Sequence, residues 1–162
     1  MEVFRPYVAV VGAGTATDEQ RRTAHEVGRL LAAHGAVVLC GGLGGVMDAA
    51  AAGVREGGGV VVGLLPGSDR RGASRALTVA LATGLGEMRN PLLVRAADAV
   101  IAVGGEYGTL SEVAFALRTG KPVIGLQTWD LPDVVVVEEP GAAVELAVEL
   151  ARAAEESAAP DE

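Results

Sequence analysis

Short, almost unbroken apolar runs alternate along this chain with longer stretches whose apolar residues recur every three or four positions. The first kind predicts buried strands at 7–12 (YVAVVG), 36–42, 60–66, 76–83, 98–105 and 122–127. A further run, 133–139 (DVVVVEE), has charges at both ends and reads as an edge strand. The second kind predicts helices at 17–35, 44–57, 90–97, 108–120 and 140–156. In 17–35, Ala24, Val27, Leu30 and Leu31 form the apolar stripe, Thr17 or Asp18 supplies the N-cap, and Gly35 stops the helix. Pro140 suits the start of the last helix, where its missing N–H costs nothing.

Strands that do not alternate apolar with polar residues are buried on both faces, so the sheet is expected to be mostly parallel with helices on each side. Strand–helix–strand repetition with right-handed crossovers then gives an α/β fold, a doubly wound sheet of six to seven strands. The pattern runs on without a linker or an internal repeat. This predicts a single domain over 1–156 and a frayed, disordered tail over 157–162. Such sheets bind ligands beyond the carboxyl ends of their strands. The glycines gather at three of those ends: Gly12 and Gly14, then 41–45, then 104–108.

Composition narrows the partners. A net charge of −8 over 162 residues, with no basic face apparent, argues against nucleic acid and against an anionic membrane surface. Aromatic residues are 3%, so the core must be built from Val, Leu, Ile and Ala. Cys40 is the only cysteine, which rules out an intramolecular disulfide. His25 and His34 have no partner His or Cys at ligand spacing, so no metal site is expected and no resident cofactor is called for. The N-terminal residues lack a basic segment followed by a cleavage site, and no apolar stretch reaches about 18 uncharged residues. A cytoplasmic setting and a small ligand held by local groups are what remain.

The glycine turns offer that ligand a place. GAGTAT at 12–17 is half of a dinucleotide fingerprint, with Thr17 at the third glycine position. It reads either as a tight strand-to-helix turn or as a contact through Gly12 and Gly14. CGGLGGVMDAA at 40–50 sets Gly42, Gly44 and Gly45 before a helix whose N-terminus carries partial positive charge. Met47 there can face the ligand or pack on the sheet. GGEYGTLSE at 104–112 repeats the arrangement with Gly104, Gly105, Tyr107, Gly108 and Thr109. Glu112 stands three residues after Thr109, the spacing of a capping box and equally of a carboxylate reaching into a crevice. Arg89, next to Asn90, stands where a guanidinium can clamp a phosphate or carboxylate. Trp129 can cover a crevice or plug a loop.

Taken together, GGLGGVMDAA, GLLPG, TGLGEMRN and ADAVIAVGGEYGTLSEVAFALRTGKPV resemble the Rossmann-like LOG superfamily, once labelled "possible lysine decarboxylase". The similarity covers roughly 7–150 and is greatest to the small bacterial branch with a G-G-x-Y-G-T-x-x-E signature. The LONELY GUY proteins of this superfamily are phosphoribohydrolases that cleave the N-glycosidic bond of cytokinin nucleoside 5′-monophosphates. The resemblance implies Glu112 as the catalytic carboxylate, Arg89 as the substrate clamp, and Gly105, Gly108 and Thr109 as phosphate contacts. Three positions depart from the family pattern: Asn90 replaces its lysine, Gly104 its proline and Glu106 a loop glycine. A carboxylate about 4 Å from a phosphate charge is opposed by about 4 kcal/mol at an effective dielectric near 20. The alternative implied by other branches is a non-catalytic carrier or sensor of a nucleotide or molybdopterin-type cofactor. Literal lysine decarboxylation fits poorly, because the only lysine, Lys121, starts a strand away from the crevice. The resemblance also implies a homodimer or higher homo-oligomer, with the alanine-rich helix at 46–54 as the expected contact.

Overall fold

The computed structural model describes residues 3–158. Seven strands are joined by five helices. In chain order they are β1 (Tyr7–Gly12), α1 (Asp18–Ala33), β2 (Val37–Cys40), α2 (Val46–Glu56), β3 (Val60–Leu65) and β4 (Val79–Ala82). A short 3-10 turn, Gly86–Met88, leads into α3 (Arg89–Ala96). Then come β5 (Ala99–Val103), α4 (Tyr107–Arg118), β6 (Val123–Leu126), β7 (Val134–Val136) and α5 (Pro140–Ala158). The strands form one sheet in the order β4-β3-β2-β1-β5-β6-β7. Every pairing is parallel, so the sheet is seven-stranded and wholly parallel rather than mostly so.

The strands are buried as their composition requires. All five residues of β5 and all four of β2 and β6 are buried. Each fully buried Val or Ile contributes roughly 1.5–3 kcal/mol. One core layer joins Val27 and Leu31 of α1, Val46 and Val54 of α2, and Val144 and Val148 of α5 to one face of the sheet. The other joins Leu93 and Val94 of α3 to Val113 and Ala116 of α4. Within the first layer α1 and α2 touch backbone to backbone: a Cβ on Gly28 would lie 2.1 Å from the Ala50 oxygen, and one on Gly53 1.9 Å from the His25 oxygen. Helix α2 is thus committed inside the chain. Ala49, Ala50 and Ala51 are buried there by the chain's own packing.

Helix α1 opens with a capping box in which Thr17 caps the Gln20 amide and the Gln20 side chain answers the Thr17 amide. Thr17, not Asp18, is the cap. The predicted fourth strand shortens to four residues, because Ala76 and Leu77 turn inward against the core before pairing begins. Helix α5 runs on to Ala158, so Ser157 and Ala158 are helical rather than tail. The rest of the predicted tail, 159–162, lies outside the described residues. No helix among the described residues is long and apolar enough to cross a membrane.

The strand order turns back at one place. β1 leads to α1 on one face and β5 leads to α4 on the other, yet β1 and β5 are neighbours, with Gly12 level with Val103. Sheets of this type open a crevice at that point, beyond the carboxyl ends of the strands.

Candidate functional site

A cleft of about 140 Å³ opens there. Its walls come from the end of β1 with Gly12 and Gly14, from Gly41 and Met47 beside α2, from Arg89 and Asn90 opening α3, and from Glu106, Gly108, Thr109 and Glu112 around the start of α4. Chain segments far apart in sequence thus bring most of the predicted residues to one hollow.

Arg89 is the best-anchored charge in it. Only 8% of the residue is exposed. Its Nε donates to the Leu64 carbonyl at 2.8 Å, its Nη2 to the Gly41 carbonyl at 3.3 Å, and its Nη1 to Asn90 Oδ1. A guanidinium carries five N–H groups, so one on each terminal nitrogen is left for the cleft. Asn90, in place of the family lysine, therefore steadies the guanidinium rather than adding a second positive charge. Arg89 begins α3 itself, not a loop ahead of it.

Glu112 faces Arg89 across the hollow without closing an ion pair; among the described residues the pairs are His25–Glu56, Arg29–Glu26 and Arg71–Asp69. Burial pushes the Glu112 carboxyl up to about 7, and the Arg89 charge draws it partly back. The capping alternative is excluded by where the helix starts. The N-cap of α4 is Glu106, in extended conformation and making no side-chain cap. Thr109 is therefore already in the first turn, and the Thr109–Glu112 spacing is not a box. First-turn amides that no side chain caps, beside a helix N-terminus, favour an anion.

Glu106 lines the cleft too, although its side chain is exposed. Two carboxyl groups and one arginine thus share a small space. A protonated Glu112 can donate to an anion, and an ionised one opposes it.

The remaining predicted glycines lie outside the lining. Gly42, at φ +78°, packs on Leu65 and Gly63 of β3. Gly45, at φ +68°, would drive a Cβ to 2.2 Å from the Ala13 oxygen. Gly44 is exposed, with only the Gly14 oxygen near at 3.6 Å. Gly104 turns the chain at φ +65° against the Gln20 amide group. Gly105 and Tyr107 belong to a neighbouring ledge with Trp129. Gly41, which the sequence marks as part of the 41–45 glycine cluster but not as a ligand contact, does line the cleft. A Cβ there would meet Met47 Sδ at 2.6 Å and Arg89 Nη2 at 2.8 Å.

Two other residues have plain roles. Cys40 is buried, and desolvation lifts its thiol to about 11, so it is no nucleophile. Lys121 Nζ donates to the Ala97 carbonyl at 2.5 Å, away from the cleft. Among the described residues no group of three or more His, Cys, Asp and Glu side chains converges to hold a metal.

A family model described as the SLOG cluster4 family matches residues 5–156. The chain belongs to that family. An uncharacterised protein of Archaeoglobus fulgidus is 43% identical over 129 residues, 80% of this chain and 82% of its own length. Among solved structures, the molybdenum cofactor binding protein of the phototrophic bacterium Rippkaea orientalis is 36% identical. It superposes with a TM-score of 0.87 over 92% of this chain and 99% of that one. The molybdenum cofactor carrier protein of Chlamydomonas reinhardtii is 33% identical, with a TM-score of 0.82 over 91% of this chain and 98% of that one. DNA processing protein A of Helicobacter pylori, 19% identical at a TM-score of 0.71, covering 89% of this chain and 80% of its own, shares the fold alone.

Proposed function

We propose that this SLOG protein is a non-catalytic carrier of an anionic, cofactor-like small molecule, with a molybdopterin-type cofactor as the leading candidate. The observation that carries the reading is the end-to-end likeness to the Rippkaea orientalis protein, 36% identical over 92% of this chain. The site chemistry accommodates an anion. Cleaving an N-glycosidic bond builds positive charge on the sugar, which asks for an ionised carboxylate. Burial pushes the Glu112 carboxyl up to about 7, so its protonated form is also present at neutral pH and can donate to a bound anion. Glu106 opposes any anion in the cleft, and the Arg89 guanidinium offsets that repulsion. The test is native mass spectrometry of the purified protein, paired with chromatography of AMP incubations. The carrier reading predicts a co-purified or reconstituted cofactor and no release of adenine. Adenine release that Glu112→Ala abolishes would return the hydrolase reading.

The carrier is further proposed to self-associate in the cytoplasm. Val79, Leu81, Leu85, Met88 and Leu92, in the stretch from the edge strand β4 into α3, are 41–71% exposed. A second copy is the occupant that such an unpaired, apolar edge suits. Sedimentation of wild type should give a dimer or higher, and Leu81→Lys combined with Met88→Lys a monomer. A wild-type monomer at all concentrations ends this part of the reading.

A further inference from the structure

The cleft is too small for a whole cofactor. About 140 Å³ is the liquid volume of roughly five waters, whereas sites for drug-sized molecules enclose about 300–1,000 Å³. A ligand held by its anionic end leaves its body outside the mouth. The aromatic residue beside the cleft is Tyr107, itself outside the lining. Its neighbours Glu106 and Gly108 both line the cleft, so its Cα is about 3.8 Å from theirs. The ring is 83% exposed, the most of any aromatic side chain among the described residues.

Tyr107 is not loose. It stacks on Trp129 with ring centroids 6.2 Å apart and an interplanar angle of 24°. Trp129 is in turn braced: its Nε1 donates to the Glu106 carbonyl at 3.4 Å. It also lies over Gly105, where a Cβ would come within 2.7 Å of Nε1. The loop carrying it holds two oddities. Gln127, at φ +53°, is the only non-glycine among the described residues in the left-handed region. Its side chain donates to Glu19 at 2.7 Å. Thr128 Oγ1 is the only buried side-chain polar atom among the described residues without a hydrogen-bond partner. Strained backbone and an orphaned hydroxyl gather at binding sites more often than elsewhere. Both residues line a second hollow together with Gly105 and Trp129.

We propose that the Tyr107–Trp129 pair is a stacking platform for the planar heteroaromatic ring of the ligand, whose anionic end lies in the Arg89 cleft. The pair already has the offset, near-parallel arrangement that aromatic rings favour, and the free face of Tyr107 continues the stack. This rests on the anion-site reading above and adds to it the place where the ligand's flat ring lies.

Trp129 is the only tryptophan in the chain, so intrinsic fluorescence reports on the platform directly. The full chain is titrated with AMP, a pterin phosphate and ring-free ribose 5-phosphate, following heat and fluorescence together. The ring-bearing probes should quench Trp129 and bind about tenfold or more tightly than ribose 5-phosphate. Tyr107→Ala should erase that margin while leaving ribose 5-phosphate binding unchanged, and Tyr107→Phe should keep it. Tyr107 is exposed, so neither variant threatens the fold. Heat without a fluorescence change, with Tyr107→Ala binding every probe as wild type does, overturns the platform and leaves the anion site standing. No heat from any probe overturns the anion site, and the platform falls with it.

Discussion

The turn after β2 and the turn after β5 look alike in sequence, each a glycine cluster between a buried strand and a helix. They differ in what surrounds them. After β2 the glycines are wedged: Gly41, Gly42 and Gly45 each have a neighbouring heavy atom within 3 Å of where a Cβ would stand. After β5 Gly104 and Gly105 are wedged too, against Gln20 and Trp129, and the chain opens outward only at Gly108. Gly108 has nothing within 4 Å of its missing Cβ and faces the cleft. Other parts of the protein fill the space at Gly41, Gly42 and Gly45, whereas Gly108 leaves room for a ligand. A glycine cluster at a strand end therefore marks close approach without saying what approaches.

The contrast can be broken most forcefully at Gly45. Gly45→Ala places a Cβ 2.2 Å from the Ala13 oxygen at a positive φ, and should cost about 4 kcal/mol or more in chemical denaturation. A change of under about 1 kcal/mol would mean the turn after β2 is as open there as the chain is at Gly108. Next comes Arg89→Ala, which strips the Leu64 and Gly41 carbonyls of their partner. About 3 kcal/mol of stability should go with it, measurable in the same denaturation.

Glu112→Gln sharpens the comparison through pH. The folded protein holds the Glu112 proton up to about 7, against an ordinary 4.5. A raised acid favours the folded state below its unfolded value and loses that advantage as pH climbs through the folded one. Wild type should therefore lose stability between about pH 4.5 and 7 that Glu112→Gln keeps, about 2 kcal/mol after allowing for partial exposure. Stability curves for the two proteins that stay parallel across that window would contradict it. The smallest effect is expected at Gly108→Ala. Its methyl enters open space at a helix start, so thermal stability should shift by less than about 1 kcal/mol, if anything upward. Anion affinity should still fall, because the methyl narrows the cleft.

The sheet was legible because unbroken Val, Ile and Leu runs such as AVIAV have nowhere to go but a doubly covered parallel strand. The crevice was legible because the strand ends are marked by glycine. What sequence could not supply were distances across the fold. Gly41 and Gly42 are adjacent and chemically identical. Only the long-range arrival of Arg89 and Met47 makes one a site residue and the other a packing residue. The Thr109–Glu112 spacing suggested a cap that the structure lacks. Gly104 turns the chain at φ +65° and lets α4 start at Tyr107, so Thr109 comes too late to cap it. The close approach of α1 and α2 at Gly28 and Gly53 is likewise a long-range fact that the sequence does not print.

The central claim is that Arg89 and Glu112 hold an anionic cofactor without transforming it. It is tested most directly by calorimetric titration of the protein with molybdenum cofactor at about pH 6 and about pH 8, straddling the Glu112 value near 7. The account predicts binding at both, several-fold tighter at the lower pH where Glu112 is protonated, with the cofactor recovered intact. Equal affinity at the two pH values, no binding, or a cofactor recovered in altered form would contradict it.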